Sequence, residues 1–120
     1  MRYIFCLIQD PSRFEAMTPD QQAAGYESYM AYTRALQDAG VYVGADRLRP
    51  AAESTQVRVD ANGKTTVLDG PYVESKEQLG GYFMVDVDNL DEAIKWAARC
   101  PGASHGTVEV RPIWESPVRA

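Results

Sequence analysis

The sequence is short of histidine and cysteine: its 120 residues hold one His, His105, and two Cys, Cys6 and Cys100. No CxxC, HExxH or His/Cys cluster occurs, so no metal site is expected. Two cysteines cannot build a disulfide scaffold, which fits a reducing cytoplasm and structural or incidental thiols. Long apolar runs are also missing. Tyr3 to Ile8 is too short to span a membrane or form a signal core, and its β-branched and aromatic residues suit a buried strand. Positive charge is scarce, with 12 Lys and Arg against 17 Asp and Glu and a net charge of −5. The basic residues are scattered rather than striped, which argues against a nucleic-acid footprint. One local arginine can still bind an anion.

What is present fits a single globular domain over residues 1–115 with a loose tail at 116–120. Arg2 to Ile8 reads as a strand near the centre of a sheet, ended by Asp10-Pro11-Ser12 as a turn. Thr18, Pro19 and Gln21 form a helix start with a capping box, and Gly40 stands where a helix prefers its stop. Tyr26, Tyr29 and Tyr32 recur every three residues along that helix, a drifting stripe near one face. They serve either as core and rim packing or, through Tyr29 or Tyr32, as a phenol reaching a pocket. Val41 to Leu48 is a second strand. Gly44 signals a bulge or a close backbone approach in it, and Asp46 and Arg47 point to opposite faces, so only one can face a cavity.

Two alternating runs, Thr55 to Asp60 and Lys64 to Leu68, flank Ala61-Asn62-Gly63, the signature of a hairpin. Its half-polar pattern leaves one face wet or against a partner. Leu79 to Val87 is another buried strand. Asn89, with Glu92 three residues on, predicts a capped helix whose apolar residues Leu90, Ala93, Ile94, Ala97 and Ala98 share one face. Pro101-Gly102 stops it, and Thr107 to Trp114 is the last strand, placed at an edge or bulge by Pro112.

Without the hairpin the order is βαββαβ. That is an α+β, ferredoxin-like pattern: an antiparallel sheet with both helices on one face. The uncovered face is expected to pair with a second copy, giving a homodimer.

Charged residues and glycines crowd the stretch from Leu68 to Phe83, between two apolar runs, as functional loops often do. Asp69 at a strand end is either a general base or a carboxylate fixing the turn. Glu74, Lys76 and Glu77 are either a solvated turn or charges near a pocket. Gly80 and Gly81 let a strand enter through a bulge or a ligand approach the backbone. Arg111 either pairs with Glu109 on the same strand face or binds an anion. His105 is a loop histidine, and the one side chain with an ordinary pKa near neutrality. Tyr82 is either a core tyrosine or a phenol in the cavity.

Asp69-Gly70-Pro71-Tyr72 followed by Glu74-Ser75-Lys76-Glu77-Gln78-Leu79-Gly80-Gly81-Tyr82 resembles the DGPF signature of the YCII-related proteins, with Tyr72 for Phe and Ser75 for Thr. Asp91-Glu92-Ala93, Ala98-Arg99-Cys100-Pro101 and Gly106 to Ile113 extend the resemblance across residues 1–115. It implies a ferredoxin-like dimeric α/β-barrel. Most of that family has no assigned reaction. Some relatives are proposed to be enzymes with a His-Asp pair, one type eliminating chloride from a hydroxylated aromatic. Others lie beside, or are fused to, extracytoplasmic-function sigma factors. Here Met1 to Arg99 contains no His, so the family dyad is not available.

The expectation is therefore a cytoplasmic homodimer that binds a small molecule and needs no cofactor. Any catalysis would be acid–base, lyase- or isomerase-like, with Asp69 as base and Arg111 or Tyr82 polarising the substrate. Tyr29, Gly70, Pro71, Tyr72, Lys76, Glu77 and His105 are the ligand-binding candidates. The alternative is a non-catalytic ligand-sensing or sigma-factor accessory protein.

Overall fold

The structure is a computed structural model that describes residues 1–115; the expected loose tail, 116–120, lies outside them. The order is β1 (Arg2–Gln9), α1 (Pro11–Glu15), α2 (Pro19–Asp38), β2 (Tyr42–Arg47), β3 (Thr55–Val59), β4 (Thr65–Asp69), β5 (Gln78–Asp86), α3 (Leu90–Arg99) and β6 (Thr107–Pro112). Single 3-10 turns fall at Ala51–Glu53 and Pro101–Ser104. Four strands form an antiparallel sheet in the order β2-β5-β1-β6, compatible with a ferredoxin-like arrangement. The sheet is open, with β2 and β6 as its edges, so a barrel is not closed within the chain. Pro112 sits on an edge strand, where its missing N–H costs no central ladder bond.

Side-chain alternation sorts the sheet into two faces. Tyr3, Phe5 and Leu7 of β1 and Phe83 and Val85 of β5 are buried against Tyr32 and Leu36 of α2 and Ala93 and Ala97 of α3. Both longer helices thus cover one face. On the other face Ile4, Cys6, Ile8, Tyr82 and Met84 are only partly buried, an apolar surface without cover from this chain.

Helix ends follow the sequence chemistry. Thr18 and Gln21 exchange both bonds of a capping box. At the other end Gly40, at φ 73°, allows a Schellman stop: Val41 N–H donates to the Leu36 carbonyl and Gly40 N–H to the Gln37 carbonyl. The α3 box is only half made. Asn89 accepts from Glu92 N–H, but the Glu92 carboxylate turns to Lys95 Nζ at 3.2 Å. Asp10-Pro11-Ser12 is a helix start instead of a simple turn. Asp10 accepts from Ser12 N–H, Pro11 takes the first helical position, and α1 follows.

The β3–β4 hairpin is a separate two-stranded ribbon, and all its strand residues except Gln56 are exposed. Gly63 at φ 81° follows an Asp60-Ala61-Asn62 turn, and Asp60 accepts from the N–H groups of Asn62 and Lys64 at 2.9 Å each. The ribbon therefore closes through a three-residue-type loop with a left-handed glycine rather than a two-residue Asn-Gly turn.

Candidate functional site

A cavity of about 660 Å³ lies between α1, α2 and the β2–β5–β1 part of the sheet. That size is within the roughly 300–1,000 Å³ of small-molecule sites. Two bulges shape its sheet wall. Gly80 is an extra residue in β5, because Leu7 pairs with Gly81 while Ile8 pairs with Leu79. Val43 is the extra residue in β2, between Tyr42 and Gly44. Gly81 is required there: a Cβ would lie 2.8 Å from the Asp46 carbonyl oxygen.

Tyr29 projects from α2 into this space and stacks on Phe83, with centroids 6.3 Å apart and planes 10° from parallel. Its phenol oxygen accepts from Gln9 Nε2 at 3.0 Å. Burial pushes the Tyr29 phenol above its ordinary pKa, so it remains a proton donor at neutral pH. Gly102 lets the turn after α3 approach the pair, for a Cβ would sit 2.7 Å from Tyr29 Oη. Tyr32, one turn along, instead enters the core and donates to the Trp96 carbonyl at 2.7 Å. Tyr26 is 65% exposed at the cavity rim.

Three cationic or ionisable groups border the cavity beside these aromatics. Arg47 lies over the Phe14 ring of α1 at 4.7 Å. Arg13 lines the same mouth, and His105 reaches it from the loop before β6. Partial burial and the Arg13 charge hold the His105 imidazole below its ordinary pKa. Asp46 points the other way: the Tyr82 hydroxyl donates to its Oδ2 at 2.8 Å on the uncovered sheet face. That carboxylate raises the Tyr82 phenol pKa. Asp10 spends Oδ1 on Ser12 Oγ (2.7 Å) and N–H (3.0 Å), which lowers its pKa.

The signature stretch is divided by this geometry. Gln78 to Tyr82 borders the cavity, whereas Asp69 to Glu77 does not line it. Asp69 ends β4 opposite Thr55 and is exposed, as are Tyr72 and Glu77. Gly70, at φ 99°, and Pro71 form a backbone joint: Gly70 N–H donates to the Ser54 carbonyl at 2.7 Å. Gln56 Nε2 closes the joint by donating to the Gly70 and Pro71 carbonyls. Arg58 stands over the Tyr72 ring. Lys76 comes within 3.8 Å of Asp10 Oδ2, linking this loop to the start of α1. Arg111 pairs with Glu109 at 2.6 Å on the uncovered face, away from the cavity. The structure thus brings Tyr29 and His105 to the cavity, sets Tyr82 at its border with the hydroxyl turned to the uncovered face, and leaves Asp69, Gly70, Pro71, Tyr72, Lys76, Glu77 and Arg111 off it.

Residues 1–117 match the model of the YCII-related domain. The chain belongs to the YCII-related family. An uncharacterized protein of Rhizobium meliloti (strain 1021) is 34% identical over 115 residues, covering 94% of this chain and 92% of the relative. In this family member, sequence reasoning passed over Gln9, Arg13 and Phe14 as site residues. Asp10-Pro11 was the available signal, since an N-cap followed by Pro announces a helix that would carry Arg13 and Phe14 to one place. Among the described residues, no group of His, Cys, Asp and Glu could hold a metal ion. No described helix is long and apolar enough to cross a membrane.

Proposed function

We propose that this YCII-related protein binds a small molecule in the cavity beside Tyr29 and acts as a homodimer. The observation that carries the binding reading is the cavity itself. It has an aromatic wall, a phenol with its proton uncommitted, and an imidazole held neutral at pH 7. The dimer reading is supported by the uncovered apolar face of Ile4, Cys6, Ile8, Tyr82 and Met84, which a second sheet would bury. Two such sheets facing each other would make the α/β-barrel.

The chemistry available at the cavity is cofactor-free proton transfer of the lyase or isomerase kind. Tyr29 would donate a proton and His105 would accept one. Asp69, on the exposed hairpin root, would act as base only on a ligand brought to it by the ribbon or by a second copy. Screening small molecules by NMR tests the binding reading: hits should shift the Tyr29 ring and His105 imidazole signals. Hits that leave both signals unmoved would place binding elsewhere. Turnover that persists in Asp69→Asn would remove Asp69 as base. Light scattering at micromolar concentration should give twice the 13.3 kDa chain mass.

A second reading is a ligand-sensing accessory protein without turnover, of the kind that works beside a sigma factor. Two observations favour it: no histidine before residue 100, and the cavity's Asp10 and the outward-turned Asp46 beside it both committed to hydrogen bonds. A ligand recovered chemically unchanged after long incubation supports this reading, and product formation refutes it.

A further inference from the structure

The charges around the cavity are unevenly committed. Arg49 at the rim is paired with Glu53 at 2.8 Å. Asp10 and Asp46 are occupied by Ser12 and Tyr82. Glu15, at the end of α1, also lines the cavity and is exposed, without an ion pair to either Arg13 or Arg47. Arg13 and Arg47, by contrast, have no carboxylate partner among the described residues, in a chain where acids outnumber bases by 17 to 12. Carboxylates are plentiful, so two arginines left unpaired at one cavity mouth keep two guanidinium groups there open to a carboxylate from a ligand.

The wall behind them is flat and aromatic. Tyr29 lies parallel to Phe83, which is 5% exposed, and Phe14 supports the Arg47 guanidinium from below. A guanidinium stacked on a ring keeps its edge N–H groups free, in the planar fork that matches a carboxylate. The Tyr29 phenolic proton also has no acceptor among the described residues, because the Gln9 amide occupies the oxygen as a donor. The three features define a slot: a cationic fork at the mouth, a stacked ring pair along the wall and one hydroxyl donor at depth.

We propose that the ligand is a planar aromatic carboxylate of one or two rings. Its acid group would be held by Arg47 with Arg13, and its ring would lie along Tyr29 and Phe83. This rests on the cavity being the binding site, and it names the class of molecule that the cavity selects. Arg47 is the anchor, as its guanidinium is oriented by Phe14, while Arg13 adds charge and is the partner that His105 senses. A bound acid partly neutralises Arg13, so the imidazole gains a proton more easily in the complex.

Calorimetry and NMR with 2-naphthoate, 2-naphthamide and cyclohexanecarboxylate test the proposal. The expected result is that 2-naphthoate binds at least tenfold more tightly than the other two and raises the His105 titration midpoint. Arg47→Gln should remove at least tenfold of the naphthoate affinity and leave naphthamide binding unchanged. Arg13→Gln should do the same to a smaller extent. Both arginines are exposed, so neither change touches the core, and retained melting temperature confirms a folded variant. Equal affinity for the acid and the amide would overturn anion selection while leaving the cavity as the site. Equal affinity for naphthoate and cyclohexanecarboxylate would overturn the aromatic part. Failure of all three probes to bind would sink the proposal and the cavity reading together.

Discussion

Gln9 donates its side-chain amide to Tyr29 Oη over 3.0 Å, from the last residue of β1 to the middle of α2. The bond fixes which role the phenol can play. An oxygen already accepting has its own hydrogen left to give, and burial keeps that hydrogen in place at neutral pH.

Tyr29→Phe should therefore remove the donor and leave the ring stack with Phe83. Ligand affinity is expected to fall about tenfold, one hydrogen bond's worth, with stability lowered by only about 1 kcal/mol in urea titration. A variant that loses several times that stability would mean Tyr29 is mainly a core residue.

Two glycines near this pair should respond differently to a methyl group. At Gly106 a Cβ would meet the Ile8 carbonyl oxygen at 2.5 Å, a backbone atom with nowhere to go. Gly106→Ala should cost about 1–3 kcal/mol by the overpacking it forces. At Gly102 the obstacles are the ends of two side chains, Tyr29 Oη at 2.7 Å and Gln9 Nε2 at 2.8 Å. Gly102→Ala should stay more stable than Gly106→Ala but break the Gln9–Tyr29 bond, seen as a moved Tyr29 ring signal.

His105 gives a single imidazole signal, as the sequence has one histidine. Its folded pKa lies below 6.5, through partial burial and the Arg13 charge. The unfolded chain therefore binds more protons in this window, and stability falls as pH drops below about 6.5. The effect is complete once pH passes the folded midpoint. Arg13→Gln should raise the midpoint in an NMR titration; an unmoved midpoint would mean the two groups do not interact.

The core contact of α2 makes its own prediction. Tyr32 donates to the Trp96 carbonyl at 2.7 Å and meets Phe83 edge-on at 5.0 Å. Tyr32→Phe should keep the ring contact, orphan the carbonyl and cost about 1–3 kcal/mol. Leu36→Ala, fully buried beside it, should cost about 2–5 kcal/mol. Both are read from thermal or urea unfolding, with ligand binding preserved in the folded fraction.

The strands and the two longer helices were legible because their chemistry is local. Unbroken apolar runs mark β1 and β5, alternation marks β3, β4 and β6, Thr18 and Asn89 mark helix starts, and Gly40 marks a stop. Gly44 and Gly80 also pointed to bulges: Gly80 is itself the extra residue in β5, and Gly44 follows the extra residue of β2, Val43. Asp10-Pro11-Ser12 was ambiguous, because the same three residues cap a helix or close a turn. Most of the cavity was not legible. Gln9, Arg13 and Phe14 give no signal alone, and only the β5 bulge and the folding back of α1 bring them to Arg47, which the strand alternation had already set on one face or the other. The resemblance at Asp69-Gly70-Pro71-Tyr72 drew attention to carboxylate chemistry. Much of what those residues do is carried by the backbone, through a left-handed glycine and two carbonyls clasped by Gln56.

That clasp makes the β3–β4 ribbon a lever. Five-residue strands extend about 17 Å from their root, so a rotation of roughly ten degrees at the root would carry the tip about 3 Å. The root is held at Gly70 and Pro71, and the loop leaving it runs past Asp10 through Lys76 and on to Gln78 at the cavity. Torque applied to Val57, Val59 or Val67 by anything that grips the tip would thus be delivered, geared down, to the wall against which a ligand would lie.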